Sequence, residues 1–398
     1  MATMGPEGGA GGAGLLGGAG GAGGAGGAGG AGGAGGAGGA GGAGGASYGG
    51  YGSPLVSDAL IKQRDGIVGS WLGQTVTPPP RTIEDAANLY AWEPWVRASV
   101  IDFDLLSNLY FSRHADTFTY QENGQTVSKT SNDAVTIWHL HFAPTTSPTA
   151  TSSRIVTFIR PKDSTFAKQL DYLEQYSDLR EDRASEILSQ LGPQYGFWSS
   201  VVYLHPDRTR KTIELIDAAL RLANFVEMRI KHALACRRPN EMSPQVQPII
   251  LTPGHGTFPS GHSTENHMVA RILWELLGKG ASLGEQLMRE AARIAVNRTV
   301  AGVHFPIDTA SGQVLGLTLA RYFIERATAA GGGSPGPFNA WRFDGERYPD
   351  SLDFDFHQFT PAIGTETPLQ FVDLISSQAP ERSDVLHWLW DQAEAEWK

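Results

Sequence analysis

The sequence contains a single cysteine, no long apolar run, and no lysine or arginine among its first 50 residues. One cysteine, Cys236, excludes an internal disulfide framework and any metal site built from several thiolates. Because 18 consecutive apolar residues occur nowhere, no transmembrane helix is expected. The first 50 residues also lack the basic and apolar segments of a signal peptide. These absences predict a soluble, cytoplasmic protein with no membrane partner.

Positive charge is also scarce. The chain has 31 Lys and Arg against 41 Asp and Glu, which gives a formal net charge of −10 at pH 7. No basic stripe stands out, so nucleic acid is not expected as a partner. Any site for an anion must therefore be a local cluster of cations in an acidic protein. The oligomeric state stays open, with a homo-oligomer among the alternatives.

Large side chains are almost absent from residues 8–46, which consist of Gly-Gly-Ala triplets interrupted by Leu15-Leu16. Such a segment cannot bury enough apolar area to offset the entropy that is lost on ordering. A collagen helix is the rival interpretation, but its Gly-X-Y repeat needs proline, which this segment lacks. We predict a disordered Gly/Ala-rich tail over residues 1–52.

The rest of the chain predicts a mainly α fold with a small β insertion. Apolar residues recur at helical spacing in the segments 164–178, 181–191, 207–236, 262–278, 283–299 and 308–328. Residues 84–113 show the same spacing in pieces, and a last helix is expected near 383–397 after a stretch of loop. We predict an N-terminal helical region with a β insertion (53–206), a catalytic helical bundle (207–330), and a C-terminal wrap with the final helix (331–398).

The β insertion is predicted from a hairpin signal. Asn123-Gly124, the strongest short turn pair, lies between Thr117–Gln121 and Thr126–Thr130. Ala134–Phe142 and Arg154–Ile159 are further strand candidates because they are rich in Val, Ile, Thr and aromatic residues.

Two cations lie near the end of the long predicted helix. Lys231 and Arg238 are seven residues apart, which is two helical turns, so we expect them on nearly one face. Pro239 cannot continue a helix, so Arg238 is expected at its end. The arginine fork suits bidentate binding of an oxyanion, whereas lysine supplies a compact charge. Alone, such a pair is more typical of a solvated surface.

A second motif, Pro259-Ser260-Gly261-His262, precedes a run of apolar residues at helical spacing. The free N–H groups at a helix start bind anions, and glycine lets the backbone approach closely. Ser260 adds a hydroxyl, and His262 in the first turn is placed to move a proton. Alone, the motif is more typical of an ordinary helix cap beside an incidental histidine.

The third motif is Asn297-Arg298, followed by His304 and Asp308. Asp308 lies four residues after His304, on the first turn of the next predicted helix, where it can accept the proton of Nδ1. That contact fixes the tautomer and leaves Nε2 available as a nucleophile or a metal ligand. A surface histidine next to a capping aspartate is the alternative for this motif alone.

Together the motifs read Lys-x6-Arg-Pro, Pro-Ser-Gly-His and Asn-Arg-x5-His-x3-Asp within residues 231–308. This order resembles the signature shared by the vanadium-dependent haloperoxidases, the type 2 phosphatidic acid phosphatases (PAP2) and related acid phosphatases. The one departure is Asn297, where the family usually has serine. The resemblance implies the helical bundle of the PAP2/vanadium haloperoxidase type.

The resemblance also implies a role for each residue. Vanadate or phosphate would be held by Lys231, Arg238 and Arg298 with Ser260 and the Gly261 amide. His304 would bind vanadium through Nε2 or attack phosphorus, with Asp308 behind it, and His262 would be the acid–base residue. Because both anions are tetrahedral, the motifs alone leave two activities open.

Three features favour a vanadium-dependent haloperoxidase, with vanadate as cofactor and hydrogen peroxide, a halide ion and a small organic acceptor as partners. The chain has a large region before Lys231 and no membrane span, unlike the compact soluble and the lipid phosphatases. His255 stands seven residues before His262, a spacing that resembles bromoperoxidases, so bromide or iodide is favoured. Met228, by contrast, replaces a tryptophan that is usual in the two best-known haloperoxidase groups. The alternative is a soluble PAP2-type acid phosphatase that acts through a phosphohistidine at His304.

Two further patterns are given structural interpretations. His139 and His141 alternate on a predicted strand and resemble a metal-binding pair, but no third ligand is evident in the sequence. Asp350, Asp353 and Asp355 lack the spacing of a calcium loop, so a solvated acidic loop is favoured.

Overall fold

The structure is a computed structural model. It describes residues 54–70, 81–142, 149–331, 336–356 and 369–398, so the predicted Gly/Ala tail lies outside the described residues. The chain divides into two compact units between Val100 and Ile101. Among the described residues, no helix combines the length and apolarity that crossing a membrane requires.

The first unit contains helix α1 (Pro54–Ile67) and a short 3-10 helix, Ala86–Ala91. The side chain of Asp85 caps the 3-10 helix by accepting a hydrogen bond from the Ala87 amide. Helix α2 (Pro94–Ser107) runs across the division between the two units.

The second unit contains a five-stranded sheet in the order β1-β2-β3-β4-β5. The strands are β1 (Leu109–Glu122), β2 (Gln125–Phe142), β3 (Ala150–Ile159), β4 (Pro337–Asp344) and β5 (Val372–Gln378). β1 and β2 pair antiparallel and close at Glu122↔Gln125, which confirms the hairpin predicted at Asn123-Gly124. β3 and β4 pair in parallel, so the sheet joins a segment that precedes the main helical region in the sequence to one that follows it.

Helices make up most of the second unit. They are α3 (Asp163–Ser177), α4 (Arg180–Ser189), α5 (Tyr195–Ser199), α6 (Arg210–Leu234), α7 (Pro239–Met242), α8 (Gly261–Leu276), α9 (Ala281–Val300), α10 (Pro306–Thr328) and α11 (Asp384–Ala395). The main hydrophobic core lies between these helices and the sheet. It includes Val156 and Phe158 of β3 with Leu215 of α6 and Phe323 of α10, all at most 1% exposed.

Glycines on α10 permit a close approach to α8. An ideal Cβ at Gly312 would lie 2.6 Å from the Ser260 carbonyl oxygen. At Gly316 it would lie 2.2 Å from the carbonyl oxygen of Thr264. Both partners are backbone atoms, so the two helices pack at a distance that only glycine allows at these positions. This contact brings the start of α8 next to the first half of α10.

Two predictions of secondary structure are wrong. The helical spacing read through residue 113 ends at Ser107, and Leu109 already begins β1. The C-terminal stretch predicted as loop contains β4 and β5. β4 shows no alternation because five consecutive residues at its end are buried, so period-2 patterning could not reveal it.

Candidate active site

Arg238 lies outside the long helix, which corrects the expected placement of the first motif. α6 ends at Leu234, and Ala235 adopts a left-handed conformation with φ 50°. Arg238 is instead the N-cap residue of the short helix α7, with Pro239 at its first turn. Lys231 and Arg238 therefore do not share a helix face, and the turn at Ala235 redirects the chain between them. Both side chains are nevertheless buried, at 1% and 2% exposed.

The Lys231 ammonium reaches the loop before α8. It donates to the main-chain oxygens of Gly256 at 3.3 Å, Thr257 at 3.2 Å and Pro259 at 2.5 Å. Three carbonyl acceptors match the three donors of an ammonium group. Lys231 therefore ties the end of α6 to the loop that carries the Pro-Ser-Gly-His motif.

His304 is held between an acceptor and a donor. Its Nδ1 lies 3.0 Å from Oδ2 of Asp308 and 3.1 Å from the Thr257 hydroxyl, while its Nε2 lies 3.1 Å from Nη1 of Arg238. A guanidinium only donates, so Nε2 must be the acceptor nitrogen and Nδ1 must carry the proton. In this tautomer the lone pair of Nε2 is directed toward Arg238.

Three hydrogen bonds converge on one carboxylate oxygen of Asp308. Its Oδ2 accepts from the Thr257 hydroxyl at 2.5 Å and from the Phe305 amide at 2.9 Å, in addition to His304. The Phe305 contact caps the first turn of α10, which places Asp308 and His304 four residues apart on fixed backbone. The main-chain oxygen of Asp308 also accepts from the Ser260 amide at 2.9 Å. α10 and α8 are thus joined at the site itself.

Ser260 caps α8, as its position before the helix predicts. Its Oγ accepts from the Ser263 amide at 3.4 Å. Because its own amide already donates to Asp308, the amides that remain for an anion at this helix start begin with Gly261. An ideal Cβ at Gly261 would lie 2.8 Å from Oε1 of the buried Glu227. A side chain at this position would therefore have to displace the Glu227 carboxylate.

His262 lies in the first turn of α8 and is fully buried. Its Nε2 lies 2.9 Å from the main-chain oxygen of Gln190, which can only accept. Nε2 therefore carries a proton, and in the neutral ring Nδ1 is the acceptor nitrogen.

Arg298 and Asn297, both on α9, donate hydrogen bonds to the side chain of Gln190. The Gln190 Oε1 accepts from Nη2 of Arg298 at 2.9 Å and from Nδ2 of Asn297 at 3.1 Å. Asn297 also donates to Glu186 at 3.0 Å and accepts from Arg183 at 3.0 Å. Hydrogen bonds to Arg293 and Asn297 lower the pKa of the Glu186 carboxyl to about 2. Asn297, which stands where the family usually has serine, is thus held by polar side chains of α4.

His255 lies on the loop before α8 and is partly exposed. Its Nδ1 lies 3.2 Å from Nη2 of Arg238, and its main-chain oxygen accepts from Nε of the same guanidinium at 2.9 Å. One arginine therefore contacts both His255 and His304.

Three residues of this network carry no signal in the motifs. Gln190 follows α4, Thr257 lies in the loop, and Glu227 lies one turn before Lys231. Gln190 is more than 40 residues before the motif lysine, so only the folded chain reveals it. Thr257 and Glu227 lie close to motif residues in the sequence, and this proximity was the signal that could have identified them.

The Cys236 thiol is an inert buried group, and the carboxylates of Asp350 and Asp353 make structural hydrogen bonds. Burial raises the pKa of Cys236 to about 12, which leaves an unreactive thiol. Asp350 accepts from the Thr165 hydroxyl at 2.6 Å, and Asp353 accepts from the Tyr176 hydroxyl at 2.9 Å. These carboxylates attach the segment after β4 to α3 and are not simply solvated.

Lys231, Arg238, Arg298 and His304 are all buried, and such a set of donors suits the chemistry of an oxyanion. Comparison with known families agrees with this chemistry. Residues 216–330 match the model of the PAP2 superfamily. No curated protein gives a match.

Proposed function

We propose that this protein is a vanadium-dependent haloperoxidase that uses hydrogen peroxide to oxidise bromide or iodide to hypohalous acid. The PAP2 superfamily region supports an enzyme of the phosphatase and haloperoxidase group. The observation that favours the peroxidase is the place of His255. Its imidazole contacts the guanidinium that also reaches Nε2 of His304, and the bromoperoxidases resemble this chain in having histidine at that spacing.

The donor set fits a tetrahedral oxyanion. Lys231, Arg238 and Arg298 bring three formal positive charges into positions at most 2% exposed. Fully buried carboxylates, among them Glu227, Glu265 and Asp308, offset part of this charge. An oxyanion would give the buried cations a further partner of opposite sign. Vanadate would be held by the three cations and the amides from Gly261 onward, with His304 Nε2 as its nitrogen ligand.

Vanadate, when bound, supplies a Lewis acid that makes peroxide oxygen electrophilic without a change in the oxidation state of the metal. The chain supplies the geometry and the charge. Asp308 and Thr257 keep the proton of His304 on Nδ1, so Nε2 remains a ligand. Arg238 donates to that nitrogen at 3.1 Å and would donate to the oxyanion once Nε2 is its ligand.

Proton balance assigns the task of His262. Bromide loses two electrons, the O–O bond of peroxide breaks, and one proton is consumed as hypobromous acid and water form. Because Nε2 of His262 donates to the Gln190 carbonyl, Nδ1 would be the atom that takes a proton from peroxide and returns it to the leaving oxygen, and the one proton consumed overall would come from solvent. Gln190 holds His262 through its main-chain oxygen and Arg298 through its side chain, so it positions both groups.

The runner-up is a soluble phosphatase with a phosphohistidine at His304. The same Nε2 atom that would bind vanadium could instead attack phosphorus. Halide oxidation and ester hydrolysis must therefore be measured on the same preparation.

The test is a vanadate titration of the full chain after bound oxyanions have been removed. We expect bromination of a phenol dye that needs bromide and peroxide and saturates at one vanadate per chain, with little hydrolysis of p-nitrophenyl phosphate. His304→Ala should abolish both vanadate binding and bromination. His205→Ala, an exposed histidine, is the matched control and should retain both. Ester hydrolysis without bromination would establish the phosphatase instead, and the absence of both activities would refute each assignment.

Halide choice is tested at His255. An imidazole next to Arg238 makes the pocket more polar than phenylalanine would, and bromide and iodide are easier to oxidise than chloride. We expect bromide and iodide turnover with little chloride turnover, and a shifted halide ratio in His255→Phe. Efficient chlorination by the unmodified protein, or an unchanged ratio in the variant, would show that His255 does not set the halide.

A further inference from the structure

Strand β2 and the loop before α11 bring two histidines and a glutamate together. His139 and His141 are two residues apart on β2, so they face the same side of the sheet. Their ring centroids lie 4.6 Å apart with the planes at 84°. Glu381 follows β5 and places one carboxylate oxygen on each ring, Oε2 at 2.8 Å from His139 Nε2 and Oε1 at 2.5 Å from His141 Nδ1.

We propose that His139, His141 and Glu381 bind a divalent transition-metal ion of the zinc class, with solvent completing its coordination. One ligand atom from each residue lies within 4.8 Å of the other two, a spacing that a single ion can span. Two imidazoles and one carboxylate are a donor set that zinc and ferrous ions accept, whereas calcium prefers oxygen ligands alone. The third ligand that the sequence did not reveal is thus Glu381, 240 residues after His141.

The second nitrogen of each imidazole makes a hydrogen bond that suits a metal-binding histidine. The nitrogen of His139 that faces away from the carboxylate lies 3.0 Å from the Tyr322 hydroxyl. The corresponding nitrogen of His141 lies 2.7 Å from the Ser153 hydroxyl. Metal-binding histidines commonly use their second nitrogen in this way, which fixes the ring orientation.

The site is buried on one side and accessible on the other. His139 is fully buried. The Glu381 side chain is 43% exposed, which leaves an entry path and room for water. Three protein ligands with an open position are typical of accessible zinc sites, since closed structural sites use four.

The nearby guanidinium of Arg326 does not strongly repel a metal ion at this site. Arg326 donates to the main-chain oxygen of Glu381 at 3.0 Å, and its other terminal nitrogen pairs with Asp104 at 2.5 Å. That ion pair offsets the positive charge. The site is also distinct from the oxyanion site, because Tyr322 lies 14 residues after Asp308 on α10, roughly 20 Å along the helix axis.

The test is zinc binding by the full chain after treatment with EDTA, measured by calorimetry, with cobalt absorption as the optical probe. We expect one zinc per chain, a visible cobalt ligand-field spectrum, and a rise in melting temperature on adding zinc. Glu381→Gln keeps the size and the hydrogen-bonding capacity of the side chain but should weaken zinc binding at least tenfold. His141→Ala should remove the cobalt spectrum.

Two controls separate this site from other histidines. His205→Ala removes an exposed imidazole and should leave zinc affinity and the thermal shift unchanged. His304→Ala disrupts the oxyanion site and should also leave the cobalt spectrum in place. The alternative is a cluster held by hydrogen bonds alone, with both rings donating to Glu381. An unmodified protein that binds no zinc, or a Glu381→Gln variant with unchanged zinc affinity and thermal shift, would establish that alternative and overturn the proposal.

Discussion

Replacing Gly316 by alanine tests the packing that supports the site. An ideal Cβ at this position lies 2.2 Å from Thr264 O, 3.0 Å from Thr264 C and 3.1 Å from the Met268 amide nitrogen. All three atoms belong to the backbone of α8, so no side-chain rotation relieves the overlap. Because packed carbons need about 3.5 Å, α8 and α10 must separate by roughly 1 Å around this contact.

The cost follows from two opposing contributions. Overpacking a core typically costs about 1–3 kcal/mol, and a clash with rigid backbone belongs at the upper end of that range. Alanine in a helix recovers about 1 kcal/mol relative to glycine. The free energy of unfolding should therefore fall by about 2 kcal/mol. Because α8 begins at Gly261, its displacement should also weaken vanadate binding.

Urea denaturation of the full chain at fixed pH measures the change in unfolding free energy, and a vanadate titration measures the effect on the site. Gly196→Ala is the matched control because Gly196 lies in helix α5 and its ideal Cβ has no heavy atom within 4 Å. The control should be as stable as the unmodified protein or slightly more stable. If Gly316→Ala also leaves the unfolding free energy unchanged or raises it, the inferred helix contact is wrong.

Two further changes have defined outcomes. Arg298→Lys should weaken vanadate or phosphate binding at least tenfold, because an ammonium cannot reproduce the guanidinium fork. Isothermal titration calorimetry measures the affinity. The control is Arg289→Lys on the exposed face of α9, which should bind the anion normally. The pKa of the fully buried His267 is lowered to about 4 by burial, so the unfolded chain binds the proton more tightly than the folded one. Stability should therefore fall as the pH drops from about 6.5 to about 4, by up to roughly 3 kcal/mol from this group. His267→Gln should flatten that part of the curve of unfolding free energy against pH, and an equally steep curve in the variant would contradict the assignment.

The helices and the hairpin were predictable because their signals are local. The apolar spacing from Ile213 to Ala223 lies within α6, and Asn123-Gly124 marks a turn by its own chemistry. The motif residues were likewise identifiable because charge, glycine and histidine occur at fixed spacing. The His304–Asp308 contact followed from a separation of four residues at a helix start.

The remaining contacts depend on long-range packing. Arg238 was misplaced because the spacing alone does not show that Ala235 turns to a positive φ. Gln190 reaches His262 and Arg298 only after α4 packs against α9. Glu381 meets His141 across 240 residues, so no local pattern could join them. β4 was missed because burial on both faces removes the alternation that identifies a strand.

The parallel pair of β3 and β4 has a consequence for synthesis. Val156 pairs with Trp341, so one edge of β3 finds its partner only after some 185 further residues have been made. At about 5–20 residues per second, the ribosome needs roughly 10–40 s for that stretch. During this interval the Val156–Ile159 edge offers unpaired backbone groups to other nascent chains. Slow translation or early termination between the two strands should therefore favour aggregation, and a chaperone that covers this edge should raise the yield of folded protein.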